Sequence, residues 1–265
     1  MAEQKFKQLG RTGIKVFPLG FGGHPIQRLS EENAVKVLKS AFEQGINYID
    51  TSRSYPTSEQ KVGIALKGIN KKIYISSQTG ADTKEGALAD IDTSLKLLGV
   101  EKIDIYQLHA VNTRERYEKK IAPGGALEGL KQAQAEGKID YIGITAHNNN
   151  GDLLVEALKT NQFDTVMFLY NFMEYDCERE LIKVARDVEV GMIAMKPLAG
   201  ARLSDAAVAL KYVLRQEGVV PICGMDSLEY VAENIKIAKG SWEYTEDELK
   251  RKSEIEKEVD RHFCR

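Results

Sequence analysis

The sequence has little cysteine, and what it has is scattered. Its 265 residues include three cysteines, Cys177, Cys223 and Cys264, which lie far apart along the chain. An odd number of separated cysteines predicts neither a disulfide framework nor a metal site with four cysteine ligands. We therefore expect a protein of a reducing compartment.

Long hydrophobic runs are also absent. The first 25 residues interleave Lys5, Lys7, Arg11 and Lys15 with isolated apolar positions, so they lack the continuous apolar core of a signal peptide. No segment approaches the roughly 20 apolar residues that span a bilayer. A cytoplasmic protein without membrane contact is expected.

A strong excess of one charge is missing as well. Thirty-seven Lys and Arg residues stand against 39 Asp and Glu residues, which gives a formal net charge of -2. This balance gives no general electrostatic attraction to nucleic acid or anionic membranes. Hydrophobic residues make up 43% of the chain, which is enough to build a sizeable core.

What the sequence does contain is a repeating pattern of short apolar runs, each followed by an amphipathic stretch of helical period. An N-terminal hairpin is predicted from segments 5–9 and 14–16, which flank a glycine-containing turn. Strands are predicted at 18–22, 47–50, 72–76, 103–108, 141–145, 165–168, 192–195 and 219–223. Helices are predicted at 31–44, 59–67, 84–98, 126–136, 151–159, 178–187, 205–216 and 228–239, with a charged helical tail at 246–259.

This alternation predicts an α/β fold with parallel strands, because each crossover between strands contains a helix. Eight such units in 265 residues fit a closed (β/α)8 TIM barrel better than an open, doubly wound sheet. The pattern contains no linker, so one domain over residues 1–265 is predicted. We expect the hairpin to plug one end of the barrel.

The predicted strand ends carry the candidate functional residues, since side chains there face the open mouth of such a barrel. Asp50 ends the second strand, and Arg53 and Tyr55 follow in the next loop. Gln78 follows the third strand and His109 the fourth. Three neighbouring strands would thus bring an acid, a phenol and an imidazole together, which predicts a proton-relay site.

Each of these residues also has an ordinary structural interpretation. Aspartate caps helices, tyrosine lines pocket rims, and a single histidine is often a hydrogen-bonded structural residue. A metal-dependent hydrolase is a further alternative, because His24, His109 and His147 would lie near the same mouth. No pair of them has close ligand spacing, so no metal site is predicted.

Asp50 and Tyr55, followed by Ser58-Glu59 and the run from Val62 to Leu66, resemble the signature of the aldo-keto reductases. The resemblance extends over nearly the whole chain. It includes the hairpin, Leu19 to Gly22, Asp104 to His109, Gly137 to Thr145, and Glu233-Asn234. It implies the same eight-stranded barrel.

The resemblance implies hydride transfer between NAD(P)H and an aldehyde or ketone, which yields an alcohol. Tyr55 would be the general acid, His109 would orient the carbonyl oxygen, and Asp50 would support a positive charge beside the phenol. The family normally has a lysine where this chain has Gln78. A glutamine carries no charge, so an ionised Asp50 would raise the pKa of Tyr55, and slow turnover is expected.

Two cations are candidates to compensate for the missing lysine, namely Arg53 and Lys196 at the end of the seventh strand. Arg53 is alternatively a clamp for an anionic substrate or a surface salt bridge. His24 and Arg53 are the predicted substrate-binding residues.

The resemblance also implies a set of cofactor-binding residues. Where other family members have a serine and an asparagine that hold the nicotinamide amide, this chain has Thr145 and Ala146. Met167 stands where the family usually has a glutamine, and Met195 stands where it has an aromatic residue that stacks on the nicotinamide. The pyrophosphate is expected against loops that follow the last two strands. The complete predicted cofactor set is Gly22, Thr145, Met167, Met195, Lys196, Pro197, Leu198, Gly200, Cys223, Gly224, Met225, Asp226, Glu233 and Asn234.

The cofactor is expected to be NADPH or NADH. Many family members hold the 2′-phosphate of NADPH with Lys, Ser and Arg side chains, and the matching residues here are Gly224, Met225 and Tyr230. Because this basic clamp is missing, NADH is favoured. Within the family, the chain resembles a subgroup often fused to a C-terminal iron-sulphur module, but Cys264 alone cannot hold a cluster, and none is predicted.

A nucleotide-binding protein with little or no catalysis, acting as a regulator or a partner subunit, is the alternative function. It is motivated by the departures from the family pattern at residues that would touch charge or nicotinamide. The expected ligand of an active enzyme is a small carbonyl compound, and the sequence predicts no oligomeric state.

Overall fold

A computed structural model of the chain describes residues 6–148, 151–200, 202–203 and 205–262. Two short antiparallel strands, β1 (Lys7–Gln8) and β2 (Lys15–Val16), form the predicted hairpin around a short 3-10 turn. Leu9, Ile14 and Val16 pack against the apolar interior of the barrel. The hairpin therefore closes the end of the barrel at which the strands begin.

Eight parallel strands close into the predicted barrel. Each has the β-branched or aromatic residues that fit a pleated, buried surface. They are β3 (Gly20–Gly22), β4 (Tyr48–Asp50), β5 (Tyr74–Thr79), β6 (Ile103–Leu108), β7 (Ile139–Thr145), β8 (Thr165–Leu169), β9 (Gly191–Met195) and β10 (Val219–Gly224). β10 pairs with β3 and thereby completes the ring.

Helices connect successive strands on the outside of the barrel, and many begin at a polar cap. Ser30, Thr83, Thr113, Asp205 and Ser227 each accept a hydrogen bond from a backbone N–H in the first turn. The helices are α1 (Glu31–Glu43), α2 (Ser58–Leu66), α3 (Lys84–Leu98), α4 (Arg114–Ile121), α5 (Ala126–Ala135), α6 (Gly151–Lys159), α7 (Leu181–Asp187), α8 (Ala206–Leu214), α9 (Leu228–Lys239) and α10 (Glu246–His262). None of the helices in the described ranges is both long and apolar enough to cross a membrane.

The structure adds one helix to the prediction and corrects the bounds of two other elements. Helix α4 was not predicted, because its sequence is mostly charged and buries only Tyr117 and Lys120. Helix α7 begins at Leu181 because the segment before it, Asp176–Glu178, forms a 3-10 turn. Strand β5 continues to Thr79, so Gln78 lies within the strand and not in the loop after it.

The barrel interior changes from apolar to polar along the barrel axis. An apolar layer that includes Tyr48, Ile105, Met167 and Ile193 lies above the hairpin. Nearer the ends of the strands, the inward side chains of β4, β5 and β6 are polar. A polar layer inside a packed barrel needs hydrogen-bond partners, and it marks the end at which the candidate site is built.

Candidate active site

Strand register brings the predicted catalytic residues together. Asp50 lies beside Ser76 in the β4–β5 pair, and Gln78 lies beside Gln107 in the β5–β6 pair. Because side chains alternate between the two faces of a strand, Ser76 and Gln78 point to the same side, into the barrel. The sequence did not predict Gln107, although a glutamine in an otherwise apolar run, two residues before His109, is a usable signal.

Asp50 is 3% exposed and accepts hydrogen bonds from neutral donors. Gln78 Nε2 lies 3.0 and 2.8 Å from the two carboxylate oxygens, Ser76 Oγ lies 2.9 Å from Oδ1, and Gln107 Nε2 lies 3.0 Å from Oδ1. Among the described residues no lysine or arginine forms an ion pair with Asp50. Burial raises its pKa to about 7, and the hydrogen bonds from Gln78, Ser76 and Gln107 oppose that shift.

The amide groups of both glutamines turn their nitrogens toward Asp50. Their oxygens, Gln78 Oε1 and Gln107 Oε1, are buried without a hydrogen-bond partner in the described part of the chain. This orientation follows from the hydrogen-bond network, because only the NH2 group can donate to a carboxylate. The pair Asp50–Gln78 is thus joined by hydrogen bonds from a neutral amide to a carboxylate and contains no cation.

Tyr55 is held over this network by the loop after β4. The loop follows β5 closely, since Thr51 N donates to Ser76 O at 2.9 Å and Arg53 N donates to Gln78 O at 3.0 Å. Burial raises the pKa of the Tyr55 phenol, and the charge of Asp50 raises it further. The phenol is therefore protonated at neutral pH, and no cation among the described residues offsets these two effects on its pKa.

Tyr55 and three histidines form a four-ring cluster, in which the rings follow one another in the order His24, Tyr55, His109 and His147. Ring centroids are 5.0 Å apart for His24 and Tyr55, 6.3 Å for Tyr55 and His109, and 5.0 Å for His109 and His147. No group of three or more potential metal ligands occurs among the residues that the structure describes. The alternative of a metal site built on the three histidines thus has no ligand set there.

His109 is 8% exposed, and its two ring nitrogens have different surroundings. Nδ1 lies 3.3 Å from Ser52 Oγ and 3.2 Å from Ser54 Oγ, whereas the buried Nε2 has no hydrogen-bond partner in the described ranges. Burial lowers its pKa to about 4, and the charges of His147, Arg116 and Lys120 lower it as well. The imidazole is therefore neutral at pH 7, with one nitrogen left to meet a ligand.

Arg53 does not join this group. Its guanidinium forms an ion pair with Glu59 and lies 3.8 Å from Asp90. Glu59 is 1% exposed and accepts a hydrogen bond from Ser77 Oγ at 2.7 Å. Ser77 points away from the barrel interior, since its neighbours Ser76 and Gln78 point inward, so Arg53 lies between the barrel and its helices. The prediction that Arg53 binds substrate or compensates for the missing lysine gains no support from this placement.

The predicted nicotinamide contacts lie on β7, β8 and β9. Thr145 Oγ1 accepts a hydrogen bond from Ala110 N at 2.9 Å, which leaves the hydroxyl proton available to donate. Met167 is buried inside the barrel with its sulfur 3.9 Å from Gln78 Nε2, and Met195 is buried near the mouth. Lys196, immediately after β9, is exposed, and Asn171 Nδ2 donates to its carbonyl at 3.1 Å.

The remaining predicted cofactor residues divide into loop positions and core positions. Gly200 is exposed in the loop after β9, Gly224 is exposed at the end of β10, and Glu233 is exposed on α9. Cys223 and Met225 are buried in the layer between strands and helices, so their side chains do not line the mouth. The other members of the set are Gly22, Leu198 and Asp226, which are at least partly exposed, and Pro197 and Asn234, which are buried.

Comparison with known proteins identifies the family of this chain. The model of the Aldo/keto reductase family matches residues 18–207. An L-galactose dehydrogenase of Arabidopsis thaliana is 30% identical over 226 residues, which cover 77% of this chain and 69% of that protein. A Glycine max protein named "Probable aldo-keto reductase 1" is 30% identical over 210 residues, which cover 72% of this chain but only 58% of that relative.

Solved structures show the same fold. A thermostable aldo-keto reductase crystallised with the inhibitor epalrestat superposes with a TM-score of 0.78 at 25% identity, covering 95% of this chain and 99% of that chain. An aldo-keto reductase from Bacillus halodurans in its holo form gives 0.80 at 23% identity, covering 96% of each chain. The family model alone spans well over half of the described barrel, and the chain therefore belongs to the aldo/keto reductase family of oxidoreductases.

Proposed function

We propose that this protein reduces an aldehyde or ketone to an alcohol with a nicotinamide nucleotide, using Tyr55 as the general acid. The observation that carries the proposal is the meeting of Asp50, Tyr55, Gln78 and His109 at the barrel mouth. The buried Nε2 of His109, which lacks a partner among the described residues, is a polar atom suited to a carbonyl oxygen.

The residues at the mouth fit a nicotinamide nucleotide. The Thr145 hydroxyl retains a proton to donate to a carboxamide, and Gly200, with φ +68°, has open space around its Cα. Helix α9 begins directly after the β10 loop, so its N-terminal N–H groups favour an anionic group there. When bound, the cofactor supplies the hydride.

Two side chains orient and protonate the carbonyl oxygen. Neutral His109 donates through Nε2 when Ser52 or Ser54 donates to Nδ1, and it then orients the carbonyl oxygen. Tyr55, protonated because burial and Asp50 raise its pKa, gives its proton to that oxygen as the alcohol forms. The phenolate that remains lies near Asp50, and the neutral Gln78 supplies no positive charge there, which makes this proton transfer less favourable than in a site that contains the family's lysine.

The variant Gln78→Lys tests this mechanism. An ammonium group beside Asp50 would stabilise the Tyr55 phenolate, so kcat for carbonyl reduction should rise by about tenfold or more. The measurement is loss of nicotinamide absorbance at saturating cofactor. Gln78→Met serves as the uncharged control and should not raise kcat, and Tyr55→Phe should abolish turnover. An unchanged or lower kcat in Gln78→Lys, with cofactor affinity retained, would contradict the proposal.

We propose NADH as the preferred cofactor. Asp205, Glu233 and Glu254 line a groove between the start of α8, α9 and α10, and Arg251 in the same groove pairs with Asp205 at 3.0 Å. An acidic rim disfavours the additional phosphate of NADPH. Fluorescence titration should therefore give a lower Kd for NADH, and a lower Kd for NADPH would reverse the assignment.

A nucleotide-binding protein with little catalysis is the second candidate. The uncompensated Asp50 and the raised pKa of Tyr55 favour it, because both weaken the general acid. Tight cofactor binding in wild type and in Tyr55→Phe, without turnover of any aldehyde or ketone, would support it over the reductase.

A further inference from the structure

Arg116 is a half-buried cation on α4 that the reaction described above does not use. Its guanidinium donates to Gly80 O at 3.4 Å and pairs with no carboxylate in the described ranges. Lys120, one turn further along α4, is fully buried instead and pairs with Asp82 at 3.1 Å. The two neighbouring cations therefore differ in that only Lys120 is neutralised by an acidic side chain.

Contacts through Gly80 place Arg116 at the rim of the candidate site. Gly80 follows β5, and a Cβ on it would lie 3.8 Å from Ser54 Oγ. Ser54 Oγ is in turn 3.2 Å from His109 Nδ1. The charge of Arg116 accordingly contributes to the lowered pKa of both His109 and His147. The guanidinium thus lies on the α4 side of the four-ring cluster.

The acidic side chains near the α4 side of the mouth are already paired with other cations, so the charge of Arg116 is not neutralised by them. Asp82 pairs with Lys119 and Lys120, and Glu59 pairs with Arg53. Lys196 lies on the β9 side, where it lowers the pKa of His24 and His147. Lys196 follows β9 and is one of the residues predicted to bind the cofactor. Arg116, on α4, is left to meet the substrate.

We infer that the substrate carries a carboxylate in addition to its carbonyl group, and that Arg116 binds this carboxylate. A planar guanidinium without an acidic partner is suited to two-point hydrogen bonding with a carboxylate. The inference rests on the proposed reductase function, and it names the substrate class for the same site. Arg116 acts in specificity and takes no part in proton transfer.

The test uses a pair of ligands, 4-(hydroxymethyl)benzoate and its methyl ester, of which only the first carries a negative charge. Calorimetry on the wild-type protein should show the acid binding about 10- to 100-fold more tightly, which is the range for a charged hydrogen bond. Arg116→Gln should remove this preference by weakening the acid alone, and Arg116→Lys should keep part of it. Arg114→Gln is the matched control, because Arg114 lies on the same helix but pairs with Glu156 at 2.6 Å.

The corresponding aldehydes, 4-formylbenzoate and its methyl ester, test turnover separately. In Arg116→Gln, KM should rise for the acid while kcat for both aldehydes stays near the wild-type value. The inference would be overturned if wild type bound 4-(hydroxymethyl)benzoate and its methyl ester with equal affinity. It would also be overturned if Arg116→Gln weakened the binding of both ligands equally. A retained binding preference, without turnover of these two compounds or of any other aldehyde or ketone, would instead refute the reductase function and leave Arg116 as a carboxylate-binding residue.

Discussion

At the scale of single residues, Asp50 is the most unusual side chain of the barrel interior, because a carboxylate is buried there without a paired cation among the described residues. It is a buried carboxylate with three neutral donor side chains and no paired cation among the described residues. Donors stabilise the ionised form, but burial outweighs them and raises its pKa to about 7. Asp50 therefore links the proton balance of the site to the stability of the barrel.

Asp50→Asn should make stability less dependent on pH between about 4 and 7. In this window the unfolded chain has released the Asp50 proton while the folded protein retains it, so wild-type stability falls as pH rises toward the folded pKa. Below the pKa of Asp50 in the unfolded chain, the carboxyl is protonated in both the folded and the unfolded protein, and it no longer lowers the stability. Thermal unfolding from pH 4 to pH 8 measures the effect, and the exposed Asp92→Asn provides the control. Parallel curves for wild type and Asp50→Asn would contradict the shifted pKa.

At the scale of elements, ion pairs and caps decide how the helices are held around the mouth. Arg53 links the loop after β4 to Glu59 on α2 and to Asp90 on α3. Glu59 also binds Ser77 of β5, so one carboxylate joins two elements and a loop. Helix α4 contributes Arg116 and Lys120 to the same region. The surroundings of the site thus depend on charged contacts between helices as much as on the strands.

Arg53→Met should lower the free energy of unfolding by about 2–3 kcal/mol, because it leaves Glu59 buried and unpaired. Chemical denaturation measures the loss, and the double variant Arg53→Met/Glu59→Gln should recover part of it. KM for 4-formylbenzoate should stay close to the wild-type value in the single variant. A large rise in KM without a loss of stability would restore Arg53 as a substrate residue.

At the scale of the whole molecule, one end of the barrel is closed and the other holds the site. Gly10 in the hairpin turn has φ +49° and lies against the backbone of Glu189 and Gly191. Lys7 further anchors the hairpin, since its ammonium donates to the carbonyls of Leu214 at 2.7 Å and Val219 at 2.6 Å. The closed end and the candidate site are therefore separated along the barrel axis.

Gly10→Ala should destabilise the protein clearly more than Gly13→Ala. Both glycines have positive φ and share the backbone cost of about 1 kcal/mol, but only a Cβ on Gly10 would collide with the neighbouring backbone. Urea denaturation compares the two variants. Carbonyl reduction at 20 °C by the folded fraction should be unchanged in both, and a selective loss of kcat in Gly10→Ala would show that the closed end influences the site.

Much of the fold could be predicted because its signals are local. Period-2 and period-3.6 patterns marked every barrel strand and all helices except α4, whose charged sequence has almost no apolar stripe. Thr113 as a cap and Pro123 after the helix end are signals that would have identified it. The structure and the family comparison confirm the eight-stranded barrel with its hairpin and the aldo/keto reductase resemblance.

The sequence by itself determined the order of the strands and helices, the residue types at the strand ends and the substitution of Gln78 for lysine. Only the tertiary structure decided which side chains meet. Gln107 joins Asp50 through strand register, Arg53 turns to Glu59, and Arg116 reaches the rim through Gly80. The physical reason is that hydrophobic periodicity fixes which face of an element is buried, whereas partners distant in sequence are selected by register, packing and charge once the barrel has closed.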